Sequence, residues 1–145
     1  MRKPKIESYL WRGMLGGSSG ALVGIGLLAV YLSSVGSTEL LPQVFAVGLS
    51  LGLTGGALMG GAIGAIIYSI AARNGKDPDA TVRVLIGVSS LLVYSLVVNL
   101  LSGGNRSFLF NLAYAIVVGV LPGLLARSKN GSEWSEAARH SQGRA

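Results

Sequence analysis

The sequence predicts an all-α integral membrane protein of four transmembrane helices, and three observations predict it. Four long segments are nearly free of charge, Lys and Arg gather at their edges, and five glycines stand four residues apart inside one apolar run. These are Gly48, Gly52, Gly56, Gly60 and Gly64, and their spacing repeats the small-xxx-small pattern that lets membrane helices approach at their backbones. Only 12% of the 145 residues are charged while 50% are apolar, about half the charged fraction usual in a globular domain. A soluble fold would need four helices apolar all round, each buried on every side.

Residues 1–13 form an interfacial segment, with Arg2, Lys3, Lys5 and Arg12 for headgroups and with Tyr9 and Trp11 placed to anchor an aromatic belt. The first span covers 14–35, too long for a signal-peptide core and without an Ala-x-Ala exit, so it reads as uncleaved. The second covers 42–72, opening at Pro42 and stopping at Asn74-Gly75, a left-handed cap pair. Its apolar run makes about 46 Å of helix against a hydrocarbon layer of about 30 Å, so it projects, tilts or bends at a glycine. Asp77-Pro78-Asp79 starts the third span, 80–101, with Asp77 as the cap. Gly103-Gly104 ends it. Ser107 caps the fourth, 108–126, where Pro122 weakens the bond to Val118 and introduces a kink. The tail, 127–145, is mostly polar: Trp134, with Ala137 and Ala138, either anchors a short interfacial helix over 132–139 or sits in a frayed, partly disordered segment, or in one that a partner orders.

The net charge of +6 is spread along the span edges. That distribution suits anionic lipid headgroups and gives no nucleic-acid footprint. Lys and Arg fall eleven to one in favour of the two termini and the middle loop, with Arg106 the exception. The bias predicts an N-in, C-in topology in a bacterial-type inner or cytoplasmic membrane.

A four-residue step turns a helix by about 400°, so the five-glycine ladder sweeps about 160° around the second span. Gly13, Gly17, Gly20 and Gly24 form a narrower stripe on the first span. Matched by depth, Gly20 and Gly24 are expected to meet Gly60 and Gly64, giving a tight first hairpin. The third and fourth spans, rich in Leu, Val and Ile, are expected to join it less closely.

Chemistry is sparse. No ionisable residue lies deep in a span, which argues against proton relays and ion-coupled transport, and the absence of cysteine excludes thiolate chemistry. Gly13-Met14-Leu15-Gly16-Gly17-Ser18 lacks the lysine of a phosphate loop. His140 sits alone in the tail. No catalytic or metal-binding residue is expected. Asn99 and Asn111 are placed to bond across the hairpin of the third and fourth spans. Tyr94 and Tyr114 lie deeper and need hydroxyl partners, which each other, a serine or a bound lipid could supply. The expectation that remains is a small accessory subunit packing against a larger membrane complex. The alternative is a homo-oligomeric channel or small permease using Asn99, Asn111 and Thr54 as its polar contacts.

Overall fold

The computed structural model describes residues 5–101, 103–104 and 107–128. Its elements are all helical: α1 Ile6–Ser34, a 3-10 turn Thr38–Leu40, α2 Leu41–Val47, a π-helical turn Gly48–Gly52, α3 Leu53–Asn74, α4 Ala80–Leu101 and α5 Phe108–Leu125. The π turn is continuous with its neighbours, so Thr38–Asn74 is one apolar element of 37 residues. Together with α1, α4 and α5 it makes four helices long and apolar enough to cross a membrane. On that ground the chain is an integral membrane protein.

Local chemistry sets the ends. Gly75 closes α3 in the left-handed conformation, φ 67°, where glycine carries no Cβ penalty. Ser107 opens α5, its hydroxyl accepting the Phe110 N–H at 3.2 Å. At the other N-terminus the chain is already helical from Ile6. The interfacial segment expected over 1–13 is therefore continuous with the first span from that point onward. The long second element is not α-helical throughout: the Gly48–Gly52 π turn falls within the glycine ladder itself. π turns inside α-helices are a recognised source of bending.

The helices pack through three antiparallel seams, each advancing by about one turn per contact. Along α1 and α3 the order is Tyr9 on Gly64, Gly13 on Gly60, and Gly17 on Gly56, backbone against backbone. Ala21 then packs near Gly56 and Gly52, and Ile25 against Gly48. Along α1 and α5, Gly16 lies on Pro122 and Gly20 on Val118. Along α4 and α5, Gly87 lies on Gly119, and Gly123 on the Arg83 backbone. In lipid the apolar effect supplies little drive between helices, so such backbone approach, with its dispersion and Cα–H···O contacts, holds the bundle.

Two expectations are corrected here. Gly20 and Gly24 do not meet Gly60 and Gly64; they face α5, with Val118 as their nearest neighbour. The last two helices are not loosely attached either. A Cβ on Gly119 would stand 2.8 Å from the Gly87 carbonyl oxygen, and one on Gly123 2.5 Å from that of Arg83. α1 is thus the shared helix, with one glycine series toward α3 and another toward α5.

Pro122 fits the second of these series. Its missing N–H leaves the Val118 carbonyl without its usual helical donor. That carbonyl oxygen lies 2.5 Å from where a Gly20 Cβ would be, so only a glycine on α1 leaves room for it.

Candidate functional site

Burial divides the molecule into two halves. The tightly packed half holds the end where α3 runs into α4, called here the basic end for Arg12, Arg73, Lys76, Arg83 and Arg127. Its core comprises Tyr9, Ile63, Ile67, Ala71 and Ala126, all fully buried. At the opposite end the side made by the later part of α1, α2 and the π turn is open, with no residue from 22 to 55 buried, while Ser95 and Asn111 stay buried between α4 and α5.

At the basic end a polar network joins three separate parts of the chain. The Tyr9 hydroxyl donates to Asp77 Oδ1, and the Ser128 N–H donates to Asp77 Oδ2 at 3.1 Å. Arg12 Nη1 donates to the Ser128 carbonyl at 3.0 Å. Tyr9 also meets Tyr68 edge to face, ring centroids 5.4 Å apart, a favourable aromatic geometry. Asp77 therefore clamps α1, the loop after α3 and the segment after α5.

Two further expectations change in consequence. Tyr9 is not an aromatic-belt anchor, because it has 0% exposure and its ring is packed on Tyr68 with its hydroxyl on a carboxylate. α4 begins at Ala80, which puts Asp79 and not Asp77 in the flanking cap position, and the Asp77 carboxylate accepts from Tyr9 and Ser128 instead. Trp11, by contrast, is 62% exposed on the outside of α1. Trp134 lies outside the described residues.

Arg83 occupies the same end and was visible in the sequence only as one more edge cation. It is 8% exposed, on the stripe Arg83, Gly87, Leu91 and Ser95 that α4 buries. Its Nε is the one buried side-chain nitrogen or oxygen without a hydrogen-bond partner among the described residues.

Higher in the α4–α5 seam, the polar contact involves a different pair from that expected. Asn111 bonds not to Asn99 but to Ser95, whose hydroxyl lies 2.5 Å from Asn111 Oδ1. Asn111 is fully buried and its Nδ2 donates to the Ser107 carbonyl at 3.0 Å. Asn99 is half-buried, and its carbonyl accepts the Gly104 N–H at 2.8 Å. Ser95 stands one turn before Asn99 on the same side of α4, so spacing alone does not separate the two.

Tyr94 and Tyr114 are each 40% exposed and line one cleft between α3 and the α4–α5 pair. Gly52, Gly55, Gly56 and Met59 form its far wall, and its volume is about 310 Å³ with the open mouth included. Thr54 is turned to its own helix, its hydroxyl donating to the Ser50 carbonyl, the usual way an intramembrane hydroxyl is satisfied. Ser18 instead reaches across to the Leu53 carbonyl at 3.3 Å, adding a polar tie to the α1–α3 seam.

No group of three or more His, Asp or Glu stands close enough to hold a metal ion among the described residues. The arrangement offers packing surfaces, one buried cation and a cleft with two phenols. No protein-family model, curated protein or solved structure matches the chain.

Proposed function

We propose that this chain is a small accessory subunit that stabilises a larger multisubunit membrane complex. It would sit with both termini and the loop after α3 on the cytoplasmic side. The observation that carries the reading is the open stretch from the second half of α1 to the start of α3. Residues 22–55 include none that is buried, and Gly26 and Gly55 have no atom within 4 Å of where a Cβ would be. Glycine inside a helix costs about 1 kcal/mol relative to alanine, and no described residue packs closely against either one, Gly55 only bordering the open cleft. A helix from another subunit, approaching as closely as α1 and α3 approach each other, would use them. Large exposed aliphatic groups on the same elements, among them Val30, Leu51 and Leu58, suit such a surface. The cation bias toward the basic end supports the orientation. Isolation in mild detergent and mass spectrometry of the intact particle test the proposal: a stable assembly with unrelated membrane subunits is expected. A monomer or self-oligomer alone, from membranes at native abundance, would refute it.

A second reading, a homo-oligomeric channel or small permease, draws on the cleft with Tyr94 and Tyr114. Purified protein in liposomes would then conduct a solute without any partner.

A further inference from the structure

We propose that Arg83 is the anchor of a specific site for the phosphate of an anionic membrane lipid, at the end of α4 nearest Asp77. A guanidinium carries five N–H donors and cannot be neutralised by losing a proton. Burying one of those donors without an acceptor costs about 1–3 kcal/mol, more for a charged group. Arg83 is in that state: its Nε is buried and empty, and the residue is 8% exposed. The carboxylates at this end do not relieve it. The Asp77 carboxylate accepts from Tyr9 and Ser128, Asp79 is exposed, and neither supplies a partner to Arg83 Nε. Asp79 contributes its backbone carbonyl to the Arg83 N–H at 3.0 Å.

The position selects the source of the anion. Arg83 lies in the first turn of the 22-residue apolar helix Ala80–Leu101, about 5 Å along its axis from the start. That is where headgroup and hydrocarbon meet. Ala80, Thr81 and Val82 are exposed beside it, at the helix end whose open N–H groups and dipole favour negative charge. Val82 and Leu85, 43% and 59% exposed, give the first turns of α4 an open apolar track on another side of the helix from the Arg83 stripe. A free phosphate would gain the charge contact but not that apolar track.

The test places the full chain in vesicles of phosphatidylcholine alone or mixed with phosphatidylglycerol, followed by native mass spectrometry of the released protein. Wild type is expected to retain one phosphatidylglycerol. Arg83→Gln is expected to retain about tenfold less, a difference of one decade in affinity. Arg73→Gln removes an exposed cation from the same end and is expected to behave as wild type. Equal retention by Arg83→Gln would overturn the site, and equal loss from Arg73→Gln would reduce it to diffuse charge attraction. Thermal unfolding supplies a second readout on wild type alone, with phosphatidylglycerol raising the midpoint and inorganic phosphate in pure phosphatidylcholine leaving it unchanged. Equal protection by inorganic phosphate would overturn the lipid assignment. Should Arg83→Gln not fold, Arg83→Lys replaces it, and undiminished lipid retention there would exclude a role for the Nε donor.

Discussion

Gly17 and Gly56 each occupy the space in which the other's side chain would lie. A Cβ built on Gly56 would stand 2.5 Å from the Gly17 carbonyl oxygen, and one built on Gly17 would collide with the Gly56 carbonyl. Both obstacles are backbone, so no rotamer change can clear them. Gly56→Ala should therefore destabilise the protein by about 1–3 kcal/mol, the usual cost of overpacking. Gly55→Ala, one residue away, enters open space and should be neutral or gain up to about 1 kcal/mol from helix propensity. Equilibrium unfolding in bicelles compares the two, and equal stabilities would mean that α1 and α3 do not touch at this level.

A similar contrast tests the α4–α5 seam. Gly119→Ala would place a methyl 2.8 Å from the Gly87 carbonyl oxygen and 2.9 Å from the Val88 Cα. On α1, Gly24→Ala would make only an ordinary contact, 3.6 Å from Val118 Cγ2. The first change should cost about 1–3 kcal/mol and the second almost nothing. Protease resistance of the folded protein in micelles provides the measurement. A ranking in the opposite order would return the close contacts to the first hairpin alone.

These comparisons also mark what the residues disclosed before any coordinates. Four apolar helices follow from charge-free length, and the Gly75 and Ser107 ends follow from local chemistry, because both are properties of short stretches. Partner choice is not local. Depth matching sets Gly20 and Gly24 level with Gly60 and Gly64, but it says nothing of the direction each faces. Gly16, omitted from the α1 stripe, is the residue that splits it, since Gly13 and Gly17 face α3 while Gly16 and Gly20 face α5. On α4 and α5 the closely packed Gly87, Gly119 and Gly123 are hidden among Leu, Val and Ile. Residue type places Arg83 and Tyr9 at the membrane boundary, and only tertiary contacts reveal that both are buried.

The Asp77 clamp predicts a coupled response. Asp77→Ala leaves the buried Tyr9 hydroxyl without that acceptor and frees the Ser128 N–H. A loss of about 1–3 kcal/mol is expected, with faster amide hydrogen exchange at Ser128. Adding Tyr9→Phe removes the hydroxyl that donates to Asp77, so the double variant should be less than additive. Full additivity, with unchanged exchange at Ser128, would show that the clamp does not hold the end of α5.

The Ser95–Asn111 contact allows a cycle in which each member can be removed separately. The oxygens lie 2.5 Å apart, and Asn111 is fully buried, so neither water nor headgroup can substitute for the partner. Interhelical hydrogen bonds in membranes nonetheless couple by only about 0.6 kcal/mol on average, with a maximum near about 1.7, because the separated helices find other partners. Burial should put this pair at the upper end of that range. Ser95→Ala, Asn111→Leu and the double variant, unfolded in the same bicelles, give the coupling directly. Asn111→Leu also forfeits the bond from Nδ2 to the Ser107 carbonyl, so it should be the more damaging single change. Asn99→Leu in place of Ser95→Ala should show weaker coupling to Asn111. Stronger coupling to Asn99 would move the polar contact one turn along α4 and displace the register of the whole α4–α5 seam.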